Sequence, residues 1–236
     1  GDNVCCLVAS QPVADLKQIT GFANASLPRW ALTEVTSLMN KYAVEDVALD
    51  ETYQLSELLL EKSAGNLLYL NYLIQEAARM KTVSIEQFSV LPMYDYNLSA
   101  YYQYLLTQLN GEHAVPWALA GSSFRLSLAE LKAITHLGGG VDRQLSELSP
   151  ILRSNQALGG HIIYHESFRR FIIEKLQADG ANVKEVIYRP ISTWLGSKDF
   201  YAFPKAFRFY LGLLYENEQY KDLTTQLHPR FAQRAL

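Results

Sequence analysis

The sequence predicts a mostly α protein: a helical bundle, then a helix–turn–helix–hairpin module, then further helical hairpins. Three observations carry this. Of 236 residues, 49% are hydrophobic and 19% charged, enough apolar material to bury the core of one large domain or of two to three small ones. From Pro12 almost to the end, apolar residues recur at helical spacing, punctuated by glycines and capping residues. One short apolar run near the start reads as a buried strand, and no second convincing α/β unit follows it.

The elements follow in chain order. Asn3 to Ser10 reads N-V-C-C-L-V-A-S, a run of the kind buried in a parallel sheet. A lone strand forms no sheet, so the run is expected to be the remnant of a larger α/β domain and the chain a fragment of it. Cys5 and Cys6, the only cysteines, point to opposite faces of such a strand and read as two buried thiols in a reducing compartment. Glu34 to Tyr42 places Val35, Leu38, Met39 and Tyr42 on one helical face. Asp50 is positioned to cap a helix running to about Ser63, with Leu55, Leu58 and Leu59 inward. Gly65 suits the left-handed position after that helix, and Asn66 can cap the next, Leu67 to Met80, which is apolar nearly all round.

Ser84-Ile85-Glu86-Gln87 has capping-box spacing and opens a short helix before Leu91-Pro92. Leu98, Tyr101, Tyr102, Leu105, Leu106 and Leu109 form the cleanest helical stripe, ended by Gly111, and a further helix is expected from Val115 to Ser122. The tyrosines from Tyr94 to Tyr104 read as core and interface rather than as a base-stacking platform. Ser127-Leu128-Ala129-Glu130 is a second capping box, and its helix runs through Ile134. After Gly138-Gly139-Gly140, a helix is expected to carry Val141, Leu145, Leu148, Ile151 and Leu152 on one face. Ala157-Leu158, Gly159-Gly160 and His161 to Tyr164 predict a hairpin around a Gly-Gly turn. Helix, turn, helix, hairpin is the winged-helix order, and its last helix carries Phe168, Phe171, Ile172 and Leu176. Three more helices are expected, at Val183–Leu195, about Tyr201 to Tyr215, and Tyr220–Leu227.

Composition narrows the function. Lysine plus arginine is 21 and aspartate plus glutamate 24, so the formal charge is 21 − 24 = −3, with a pI near 6.0. That balance lacks the basic footprint of a nucleic-acid or anionic-membrane binder. No apolar run approaches the roughly 20 residues of a membrane span. Gly1-Asp2-Asn3 is not the basic start of a signal peptide, so a cytoplasmic location is expected. No G-x-x-x-x-G-K-[ST] occurs, and Gly138-Gly139-Gly140 lacks the lysine and hydroxyl of a phosphate cradle. His165-Glu166 is not followed by the second histidine of a zinc-protease helix, and Ser122-Ser123 lacks nucleophile-elbow glycines.

Three segments, in order, carry a resemblance. The strand Val4–Ser10 ends in Ser10-Gln11-Pro12; Lys62 to Leu70 reads K-S-A-G-N-L-L-Y-L; and Ile162 to Phe168 reads I-I-Y-H-E-S-F. Together these resemble the C-terminal part of the nucleotide-binding module of STAND-class P-loop NTPases, the NACHT and NB-ARC relatives. The resemblance covers roughly residues 1–215. It implies a remnant of the α/β core over 1–26, a helical lid over 27–110, a winged helix over 111–178 and a repeat-like helical segment over 179–236. In that family the closing strand usually ends in Ser-Arg or Thr-Arg, which senses the terminal phosphate; here the matching pair is Ser10-Gln11. The lid motif S-x-G-N-P-L-Y has its glycine at Gly65, while Leu67 replaces the proline that packs near adenine. Tyr164-His165-Glu166 occupies the Met-His-Asp-like triplet whose histidine reaches the β-phosphate of ADP.

The resemblance implies ATP or ADP as ligand, with Mg²⁺, held with an upstream core of the same polypeptide. It also implies homo-oligomerisation on activation, a role in signalling or defence, and a protein ligand taken by downstream helical repeats. Two other functions stay open: a helical scaffold whose nucleotide site has decayed, which the Gln11 and Leu67 departures favour, and a winged-helix DNA-binding regulator, for which Arg143 and Arg153 are the available cations.

Overall fold

The computed structural model describes residues 30–42, 49–79, 84–155 and 159–227. The strand expected at Val4–Ser10, and with it Ser10 and Gln11, lies outside the described residues. From Ala31 onward the described chain belongs to one compact unit. It is mostly helical, with a single two-stranded sheet among the described residues.

The first layer is built from α1 (Leu32–Lys41), α2 (Leu49–Ser63), α3 (Leu67–Arg79), α4 (Ile85–Ser89) and α5 (Ser99–Thr107). α2 begins at Leu49, with Asp50 inside its first turn. Between α2 and α3, Gly65 adopts φ +76°, a conformation that costs glycine little, and the Asn66 side chain accepts the Tyr69 N–H at 2.9 Å. The turn is locked from below by Lys62. Its buried ammonium donates to the carbonyls of Ser89 (2.7 Å) and Leu91 (2.6 Å), while the Tyr69 hydroxyl donates to Pro92 (2.5 Å). α3 buries seven of its thirteen residues, as its all-round apolar character requires. Its tyrosines Tyr69 and Tyr72 pack on Tyr101 and Tyr102 of α5, with ring centroids 5.0–6.4 Å apart.

The second part is organised around α6 (Ala114–Gly121), a short helix with six of eight residues buried. α7 (Leu128–Thr135), α8 (Gly140–Glu147), α9 (Glu166–Ala178) and the helix that starts at Val183 all pack on it. Gly121 permits that last approach. A Cβ there would sit 2.6 Å from the Ile187 side chain and 2.7 Å from its carbonyl oxygen. α7 opens with the full capping box, Ser127 Oγ accepting from Glu130 N and Glu130 accepting from Ser127 N.

The helix expected from Val141 through Leu152 is shorter than its apolar stripe. α8 ends at Glu147, a 3-10 turn covers Ser149–Ile151, and Leu152 already begins a strand. Pro150 is the reason: it has no N–H to donate to the preceding turn, and its ring crowds the carbonyl that an α-helix would place there. The hairpin therefore starts earlier than expected. β1 (Leu152–Asn155) pairs antiparallel with β2 (Gly160–Ile163) in the register Leu152↔Ile163 to Asn155↔Gly160, and Ala157-Leu158 falls outside the described residues. A bridge from Leu126 to His161 adds one rung on the far edge of β2. Only glycine fits at position 160: its φ is +129°, and a Cβ would lie 2.2 Å from the Leu126 carbonyl oxygen.

Beyond Gly180, two helices contain π-helical turns. Lys184–Tyr188 runs into α10 (Arg189–Gly196), and Ala206–Tyr210 runs into α11 (Leu211–Glu216); α12 (Tyr220–Gln226) ends the described chain. Lys205 ties this segment back, donating to the Arg125 carbonyl at 2.8 Å and to both carboxylate oxygens of Glu130.

Candidate functional site

α9 starts just after His165, whose backbone is extended (φ −133°, ψ 136°) and whose own imidazole caps the helix. Nδ1 accepts the Ser167 backbone N–H at 3.2 Å and lies 2.7 Å from Ser167 Oγ. Ser167 Oγ is in turn 2.6 Å from the hydroxyl of Tyr102, a buried side chain of α5. Burial pushes the Tyr102 phenol up, which keeps it an O–H group at all ordinary pH values. The imidazole itself is exposed at the helix N-terminus, where backbone N–H groups and the helix dipole favour an anion.

Beside it stands Tyr164, half covered, with the Arg153 guanidinium 4.4 Å above its ring. Arg153 makes no ion pair among the described residues. Glu166, the next side chain along, is held 3.6 Å from Arg169, which offsets its charge toward an incoming anion. His161, on the neighbouring strand, is a different case. Burial, with Arg125 close by, holds its pKa below the usual histidine range, and Ser154 Oγ sits 2.8 Å from its Nδ1.

Gly65 and Leu67 are half-buried at the α2–α3 turn, Leu67 being the first residue of α3. No hydrogen bond or ring contact joins either to His165. The connection that exists is indirect and runs through α3 and α5: Tyr72 meets the Tyr164 ring edge-on at 6.5 Å, and Tyr102 meets Ser167. A cleft of about 310 Å³ lies elsewhere, lined among others by Lys184, Arg189, Glu218 and Lys221, and Gly65, Leu67 and His165 are not among its lining residues. Among the described residues no group of three His, Cys, Asp or Glu side chains is placed to hold a metal ion, and no helix is long and apolar enough to cross a membrane.

One polar cluster escaped the sequence altogether. Arg79 bridges Glu76 on its own helix and Glu147 of α8 (2.9 Å), so a charged group ties α3 to α8. Burial raises the Glu76 carboxyl, opposed by the guanidinium beside it. One buried atom each of Glu76 (Oε2), Arg79 (Nε) and Tyr101 (Oη) has no hydrogen-bond partner in this region. Tyr102, Ser167 and Arg153 were likewise missed as parts of the site. For Ser167 a local signal existed, a hydroxyl two residues after a histidine at a helix start; for Tyr102 and Arg153 there was none, because they come from distant segments.

Comparison with known protein families, with curated proteins and with solved structures finds no match to this chain.

Proposed function

We propose that this chain is the lid and winged-helix portion of a STAND-type nucleotide switch, acting with a phosphate-binding core to clamp ADP and rearranging to oligomerise when ATP and ligand arrive. The observation that carries the reading is His165: an exposed imidazole at the N-terminus of a thirteen-residue helix, entered from a hairpin strand. An anion there meets a side-chain donor and the helix dipole together. The order helix, bridge, helix, helix, hairpin, helix from α6 to α9 is the order a winged helix has, and it supports the same reading. ADP, with Mg²⁺ on the core, is the ligand this assigns.

The test is ADP affinity in a polypeptide that joins this chain to a phosphate-binding loop. A charge-assisted hydrogen bond is worth about 1.5–3 kcal/mol, so His165→Ala should weaken ADP about 10- to 100-fold and raise ligand-independent oligomerisation. Phe168→Ala is the contrasting variant. Its fully buried ring packs on Tyr102 at 5.1 Å, and its loss should cost about 3–5 kcal/mol of stability. Wild-type ADP affinity in His165→Ala would remove the histidine from the site and with it the main support for the switch.

A scaffold with a decayed nucleotide site is the second reading, favoured by Leu67 where relatives have proline and by Gln11 where they have arginine. It expects no ADP binding in either variant or wild type. A DNA-binding role draws less support. Of the cations near α8, Lys132 is paired with Asp142 (2.9 Å) and Arg143 with Glu112 (3.0 Å), leaving few to neutralise phosphates.

A further inference from the structure

The hydrogen bonds around His165 have only one consistent direction. Nδ1 accepts a backbone N–H from Ser167, so Nδ1 carries no proton. Ser167 Oγ, 2.7 Å from the same nitrogen, must then be the donor in that contact. Its single hydrogen is thereby used, so at 2.6 Å it accepts from the Tyr102 hydroxyl. The proton of the neutral imidazole is left on Nε2, which has no partner among the described residues.

We infer that Tyr102 and Ser167 form a directional relay that fixes His165 in the Nε2–H tautomer, so that the imidazole presents an outward donor to an anionic oxygen. Tyr102 and Ser167 are positioning residues: neither reaches the anion. The tautomer also sets what the site takes. A ring nitrogen carrying hydrogen donates to phosphate or carboxylate oxygen and does not ligate a metal ion. Because Tyr102 belongs to α5 and Ser167 to α9, the relay exists only while those two helices stay packed. Separation of α5 from α9 would release the hydroxyl that orients the donor, so anion affinity and helix packing are coupled. The identity of the anion as ADP rests on the function proposed above; the relay does not.

The experiment is long-range ¹H–¹⁵N NMR of the chain labelled at its five histidines, at a pH where imidazole is neutral, with His165 assigned through His165→Gln. The wild type should show His165 as one tautomer, Nδ1 bare and Nε2 protonated. Ser167→Ala removes the O–H donor and keeps the backbone N–H, and should raise the Nδ1–H population about fivefold, the equivalent of one ordinary hydrogen bond. Tyr102→Phe, which preserves the packed ring, should raise it about twofold; Ser167→Thr, which keeps a hydroxyl, should restore the wild-type spectrum. A wild type protonated at Nδ1, or tautomer populations unchanged in both Ser167→Ala and Tyr102→Phe, overturns the relay. ADP titration of the same variants, joined to a phosphate-binding loop, separates the two ideas. Ser167→Ala should weaken ADP about two- to fivefold, less than loss of the imidazole does. If the tautomer mixes and ADP affinity does not move, the phosphate reading falls and the relay stands. If the tautomer does not mix, the relay falls whatever ADP does.

Discussion

Lys62 is buried without a carboxylate beside it among the described residues, and its ammonium is satisfied by two backbone carbonyls instead. Such bonds to a charged donor are stronger than ordinary ones, and cutting the lysine back would strand both acceptors under the α2–α4 contact. Lys62→Met should therefore cost about 2–4 kcal/mol, read as a lower urea midpoint at unchanged slope. A variant within about 0.5 kcal/mol of wild type would mean that water replaces the ammonium easily. In the sequence, Lys62 was only one letter of the segment before Gly65. Its acceptors lie 27 and 29 residues away, and no local pattern announces them. Gly65 and Asn66 were legible for the opposite reason, since a left-handed turn followed by a side-chain cap is decided by residues in contact along the chain.

At the scale of elements, the capping boxes at Ser84 and Ser127 formed where their spacing placed them, because both partners of each sit within one helical turn. The hairpin was legible as a hairpin but not in its extent. Leu148, Ile151 and Leu152 continue a helical stripe and are indeed buried, yet Pro150 ends the helix, and the same apolar residues serve a 3-10 turn and a strand. Inside that hairpin, His161 gives a dependence on pH with a definite sign. Its folded-state pKa is lowered, so the folded protein binds fewer protons than the unfolded chain. Its contribution is fully present above the unfolded value, near 6.5 for histidine, and is lost as pH falls through the lower folded value. Wild-type stability, measured by denaturant midpoint between about pH 7.5 and 5, should drop relative to His161→Gln, which cannot charge. Parallel curves for the two proteins would show that the imidazole is not desolvated.

Across the molecule, burial is uneven, and local stability should follow it. α6 has most of its residues inside and touches α7, α8, α9, α10, β2 and the Lys184–Tyr188 turn, whereas α12 has none buried and packs chiefly on α11. Hydrogen exchange should release α12 amides first and those of α3 and α6 last, in separate steps rather than one global opening. Equal protection of α12 and α6 would show a further surface covering the terminal helix. The mostly helical class was readable from composition and period, since both are summed over the whole chain. The π-helical turns at Lys184–Tyr188 and Ala206–Tyr210 were not. Each fits one extra residue into a turn that no local pattern marks, and the first packs its Ile187 against Gly121, more than sixty residues away.

The Lys205 clamp has a consequence for the order of events during synthesis. Glu130, which closes the capping box of α7, receives its lysine from 75 residues further along. A ribosome adding about 5–20 residues per second would deliver that lysine roughly 4–15 seconds after Glu130. Through that interval the half-buried Glu130 carboxylate and the Arg125 carbonyl lack the ammonium that joins them in the folded chain. The last helices thus act as a late seal on a middle segment made well before them.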